Sequence, residues 1–308
     1  MRKVASLLAI IGLALPVLTV SPAQAVTPTE TWVSGNGTNS GNCARSAPCA
    51  TFAYALTQVA AGGEIICVDG GDFGEVAITV SVAISCGAAN GSVLVSNSNG
   101  IGISINAAST DVVTLRGLNI DGLGVGGDGI IIQSAKEVHI ENCQIRNFRG
   151  TPGMGILLNG NSTIYVYVVD TVISDNSNGV ELVSTGGFKV ASLKNVVITG
   201  STNDGVQLGN SNIYVNITES IISGNSGNAV NVLASGSTAN IDRTTMANNA
   251  VSALNAASGA TIRTIGNNIF NNTAAFLIAA GGTIATDQQN RVDGNGGAQV
   301  PNAVLTLQ

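Results

Sequence analysis

The chain has 308 residues and carries 12 Lys and Arg against 18 Asp and Glu, a formal net charge of −6. Charged residues are 10 % of the chain, without a basic cluster, which argues against nucleic acid and anionic membranes as partners. Gly reaches 39 residues and aromatic residues only 4 %, so turns are plentiful and material for a sugar-stacking platform is scarce.

In chain order, residues 1–25 read as a secretory signal peptide. Arg2 and Lys3 precede an apolar run from Leu7 to Val20, and Ala23-Gln24-Ala25 forms a small-x-small cleavage site. The run is short of the ~20 apolar residues that a spanning helix needs, and no second long apolar stretch follows. The expectation is a secreted protein, extracellular or periplasmic, with no membrane span.

Residues 26–63 read as an N-terminal cap. Thr31-Trp32-Val33-Ser34 suits an edge strand and Gly35 to Asn42 a loop. Thr51 is placed to N-cap a short helix with Phe52, Leu56 and Val59 on one face, and Gly62-Gly63 ends it. A lid of this kind covers the open strand edges of a repeat domain. Trp32 and Tyr54 either belong to the lid or line a sugar-stacking site.

Residues 64–308 repeat. Ile164–Leu182, Lys189–Leu208 and Ile213–Val232 each hold a β-branched run, a break, a second apolar run, an Asn-rich turn and a third apolar run. Anchors in the middle run fall at Val95, Ile120, Ile145, Ile173, Ile198, Ile222, Met246, Ile269 and Val292, in steps of 23 to 28 residues. That period marks a solenoid. Apolar residues alternate within each run, as Val180 and Leu182 do around Glu181, which is strand spacing and not helical spacing. The expected fold is all-β: a right-handed parallel β-helix solenoid of about ten coils. Ile173, Ile198 and Ile222 should stack in one inward row. Gly129, Gly155, Gly179, Gly205, Ala229, Ala253 and Ala275 open the third strand where no large side chain fits. The row before them, from Asp128 through Asn178, Asp204 and Asn228, suits a turn with left-handed backbone.

Five cysteines fit an oxidising compartment. Cys43 and Cys49 most simply close a small loop. Cys67 and Cys86 lie about one coil apart and would staple neighbouring coils. Spacing alone leaves the pairing open. Cys143 falls in the inward row and reads as a buried free thiol; His139 belongs to an outward row, away from it.

These coils resemble the right-handed parallel β-helix of the pectate-lyase-like superfamily. The opening motifs T-W-V-S-G-x-G at 31–37, C-x5-P-C-x-T-F-A at 43–53 and A-A-G-G-E-I at 60–65 are similar to a group of short secreted bacterial β-helix proteins of unassigned function. The resemblance implies secretion and a polysaccharide partner, and it transfers no catalytic residue.

Arg116, Glu141, Asp170, Lys194, Glu219, Asp242 and Arg243 fall along one edge of the expected rod. Arg116, Glu141, Asp170 and Lys194 are the candidates for lyase catalysis, in which carboxylates hold calcium against a uronate and a base removes its C5 proton. Opposite charges alternating between coils equally describe ion-pair ladders on a solvated corner. Asp121 and Asp128, in DGLGVGGDG, are the candidate calcium ligands; Asp-Gly is also ordinary turn chemistry, and no cofactor is expected. One irregularity remains: Ile131 and Leu157 occupy an otherwise polar outward row, and the inserted loop from Phe148 to Met154 is placed to cover them. The reading is a monomeric, secreted, non-catalytic β-helix that presents a surface to extracellular or cell-envelope polysaccharide. The alternative is a polysaccharide lyase or a related carbohydrate-active enzyme.

Overall fold

The computed structural model describes residues 27–297 and 299–306; the signal expected over 1–25 lies outside the described residues. The described chain winds into a parallel β-helix with three sheets of twelve, nine and ten strands. Each turn contributes one strand to each sheet, as Glu137–Glu141, Gln144–Arg146 and Met154–Gly160 do. We name these the first, second and third sheets in that order. The nine-stranded third sheet sets nine complete turns, with a partial tenth at the C-terminal end.

Register follows the anchors. Ile145 pairs with Ile173, Ile173 with Ile198, Ile198 with Ile222 and Ile222 with Met246, all fully or almost fully buried. Burial of each such side chain is worth roughly 1.5–3 kcal/mol, and a one-residue slip would turn every one of them outward. Val95 is a correction: Val93 is the residue that pairs with Ile120. Both valines are buried, so apolar pattern alone could not choose between them.

The small row is small for lack of space. A Cβ on Gly205 would sit 2.5 Å from Ile222 Cγ2, and one on Gly129 2.5 Å from the Gly155 carbonyl oxygen. Left-handed backbone, however, is not where it was expected. Asp128, Asn178, Asp204 and Asn228 are not in that region. Gly117, Asn142, Asp170, Asn195, Glu219, Arg243 and Gly266 are, with φ between 46° and 67°, at the single-residue corner joining first and second sheets. The Asp204 and Asn228 row instead works by side-chain hydrogen bonding: Asp204 Oδ1 accepts from the Asn228 N–H at 2.7 Å and from Asn228 Nδ2 at 2.9 Å.

At the N-terminal end the helix Phe52–Gln58 is capped by Thr51, whose Oγ1 accepts from the Tyr54 N–H at 3.2 Å. Phe52 lies buried against Phe73, ring centroids 5.0 Å apart. The strand Glu30–Val33 pairs with Gly63–Cys67 and so ends the first sheet. The disulfides are Cys43–Cys49 and Cys67–Cys86, with Cα atoms 5.0 and 4.7 Å apart, and Cys143 is free and buried.

Candidate functional site

The corner between first and second sheets gathers the residues picked out along one edge. Its left-handed turn is one residue long, so the last residue of each first-sheet strand and the turn residue both project sideways. Arg116 Nε donates to Glu141 Oε2 at 2.6 Å across adjacent coils. Glu219 meets Arg243 at 3.2 Å and Lys194 at 4.0 Å, and Arg243 also reaches Asp242 at 2.5 Å. Asp170 meets no cation among the described residues; its Oδ1 accepts from Asn195 Nδ2 at 2.7 Å. The hydrogen bond to Glu141 raises the Arg116 guanidinium above its already high value, which opposes any role as a proton acceptor.

Beside this row runs a groove of about 380 Å³, lined by Asn90, Asn119, Asn142, Gln144 and Asp170 over a floor of Gly117 and Leu118. Among the described residues, the side-chain amides of Asn90, Asn119, Asn142 and Gln144 form no hydrogen bond with protein, and Asn119 Oδ1 is buried without a partner. Inside the helix the opposite holds. Asn225, Asn249, Asn272 and Asn295 form a continuous ladder in which each Oδ1 accepts from the amide of the preceding coil.

Asp121 and Asp128 are each engaged by protein groups. Burial pushes the Asp121 carboxyl up, but Asn147, the Leu123 N–H and Arg146 donate to it and together hold it below the usual range. Those three bonds, at 3.0, 2.8 and 2.9 Å, engage both oxygens. Asp128 is buried at the start of the third-sheet strand Asp128–Ser134 and accepts from the Met154 N–H at 2.7 Å; burial raises its carboxyl above the usual range. Among the described residues no group of three acidic, His or Cys side chains could hold a metal ion.

On the third sheet Ile131 and Leu157 do face outward, paired with each other and half-buried. Phe148 does not cover them. It is fully buried in the position that Asn176 and Asn225 occupy in later coils, against Gly122, Gly126 and Gly129. An aromatic ring in that inward place finds room because three glycines surround it.

The first sheet holds what composition concealed. Of the 4 tyrosines in the chain, Tyr165, Tyr167 and Tyr214 all lie on its outer face, and with Phe188 beside them they are 36 to 48 % exposed. His139 stacks on Tyr167 with centroids 4.9 Å apart and planes 15° apart, and Phe188 meets Tyr214 at 5.9 Å. A low aromatic total thus coexists with a local concentration. The signal in the sequence was the I-Y-V-Y and I-Y-V-N openings of two repeats, whose alternation puts the rings outward. By contrast Tyr54 packs against the core of the lid, its hydroxyl donating to the Gly41 carbonyl at 3.3 Å.

No family model matches the sequence, and no curated protein matches it. Solved structures do share the architecture. The crystal structure of pectate lyase Pel9A superposes with a TM-score of 0.65 at 15 % identity, covering 87 % of this chain and 78 % of that one. The alginate lyase from Paenibacillus sp. str. FPU-7 superposes with a TM-score of 0.52 at 15 % identity, covering 90 % of this chain and 98 % of that one. Identities this low carry the course of the backbone and no residue's role. The chain has the pectate-lyase-like parallel β-helix fold.

Proposed function

We propose that this is an exported, non-catalytic β-helix that binds polysaccharide in the groove along the first and second sheet corner. One observation supports the reading: the side chains of Asn90, Asn119, Asn142 and Gln144, none hydrogen-bonded to protein among the described residues, line one open groove together with the Asp170 carboxylate, which accepts from Asn195 alone. A sugar chain presents dense hydroxyls that both donate and accept, and amides and carboxylates are the side chains that match them. The two disulfides accord with an oxidising compartment. The lyase alternative would need Arg116 or Lys194 as base, yet Arg116 is bound to Glu141 and Lys194 lies beside Glu219.

The test is affinity electrophoresis of the full chain in gels containing pectate, alginate or xylan. Retardation is expected in at least one gel, and Asn142→Ala/Gln144→Ala should weaken it about tenfold, as for loss of one or two net hydrogen bonds. No accumulation of ultraviolet-absorbing unsaturated uronate is expected, with or without calcium. Product formation that Arg116→Ala or Lys194→Ala abolishes in a folded protein would establish the lyase instead.

A further inference from the structure

The outer face of the first sheet carries a second surface, and it shares no residue with the corner groove. We infer that this face, from the strand Glu137–Glu141 to the strand Ile213–Thr218, binds an uncharged β-1,4-linked polysaccharide lying along the axis of the rod.

The register makes the case. Tyr165 pairs with Val190 and Val190 with Tyr214, so the two tyrosines occupy one outward row two strands apart. Neighbouring strands lie about 4.8 Å apart, which places these rows ~9.6 Å apart along the axis. That distance matches two sugar units of a flat, extended β-1,4-linked chain, in which alternate pyranose rings turn the same face to the same side. Each tyrosine offers a rigid ring to the apolar C–H face of a sugar and a hydroxyl at its edge. The parallel outward row runs His139, Tyr167, Ser192 and Asn216, a line of polar groups for the sugar hydroxyls. Asn216 Oδ1 accepts from Asn240 Nδ2 at 2.8 Å, which leaves its own Nδ2 to donate.

Charge selects a neutral chain. Lys136 is paired with Glu137 at 2.9 Å, and His139 faces the same carboxylate at 3.6 Å. Lys194, at the end of the strand Lys189–Lys194, has Glu219 at 4.0 Å, so among the described residues each of these cations has a carboxylate beside it, and the whole chain at −6 repels a polyanion. Cross-strand aromatic pairs also stabilise sheets in their own right. That explains the His139–Tyr167 and Phe188–Tyr214 contacts, but Tyr165 stacks on no other ring among the described residues.

Isothermal titration of the full chain with cellohexaose and with hexagalacturonate tests the inference. Cellohexaose is expected to bind, and any heat from hexagalacturonate, which the corner groove could take, should be unchanged by Tyr165→Ala/Tyr214→Ala. Tyr165→Ala/Tyr214→Ala should weaken cellohexaose binding about tenfold or more, while Tyr165→Phe/Tyr214→Phe, which keeps both rings, should stay within about threefold. In the unaltered protein, NMR ring-proton signals of Tyr165 and Tyr214 should shift on adding cellohexaose, a readout that needs no variant to fold. Absence of cellohexaose binding, unmoved tyrosine signals, unchanged cellohexaose affinity in the double alanine variant, or tyrosine signals that move with hexagalacturonate and not with cellohexaose would each overturn it.

Discussion

Cys143 shows how one side chain's reactivity is set by which face of a strand it occupies. It is 2 % exposed, its thiol donates to the Glu141 carbonyl at 3.3 Å, and burial pushes its pKa up to about 11. His139 points the other way and stacks on Tyr167, so it does not activate the thiol. A thiol reagent is expected to label Cys143 only after unfolding; labelling of the native protein at neutral pH would contradict this. The pH dependence has a definite sign. The unfolded thiol ionises first, so the folded state holds more protons between the ordinary thiol value of 9.0 and about 11. Stability linked to Cys143 is full below that window and falls across it, by about 3 kcal/mol at most. Urea denaturation of the native chain and of Cys143→Ala should show their difference shrinking over that window. Lys189 is the opposite kind of surprise. It occupies the inward row between Ile164 and Ile213 with its Nζ donating to the Ser162 and Gly186 carbonyls, each at 2.6 Å. Burial lowers its pKa.

Between coils the buried side-chain ladders do for the turns what backbone pairing does for the strands. Asn249 is 1 % exposed; its Nδ2 donates to Asn272 Oδ1 at 2.9 Å and its Oδ1 accepts from Asn225 Nδ2 at 2.9 Å. Removing it strands buried partners on both sides, at about 1–3 kcal/mol each. Asn249→Ala should therefore destabilise by about 2–4 kcal/mol in urea denaturation. The equivalent place one coil before Asn225 holds Ser201, whose Oγ is buried without a partner. The Asn225 amide lies beside Gly205, and the matching neighbour of Ser201 is Gly179, so an amide has room there. Ser201→Asn is expected to extend the ladder and stabilise by about 1 kcal/mol. A loss of stability in that variant would show that the ladder does not tolerate extension.

The two ends of the molecule differ. The N-terminal end is closed by the helix Phe52–Gln58 and by the disulfides. At the other end the strand Arg291–Asp293 is wholly exposed, and Val292, Val300 and Val304 are among the most exposed apolar residues. Each coil of a solenoid is held by its neighbours, so the coil with neighbours on one side only should open first. Hydrogen exchange followed by mass spectrometry is expected to find least protection over residues 283–306 and most over 138–246. Equal protection from the cap to residue 306 would contradict a stack that opens from its C-terminal end.

Period and alternation by themselves determined the parallel β-helix, the stacked row of Ile173, Ile198 and Ile222, the glycine row and the inward place of Cys143. These are properties of a pattern that recurs every coil, and burial enforces them residue by residue. Tertiary structure alone decided what depends on a turn's backbone or on neighbours from other coils. It moved the left-handed corner to Asn142 and Asp170, because only the path between sheets shows where the chain reverses. It placed Val93 in the anchor row where two buried valines competed, and it sent Phe148 inward because glycines from an adjacent coil make room. It also brought Asn90, Asn119, Asn142 and Gln144 to one groove and three tyrosines to one face. Residues about one coil apart in the chain become neighbours only when the strands stack, and a count of aromatics over the whole chain carries no information about that.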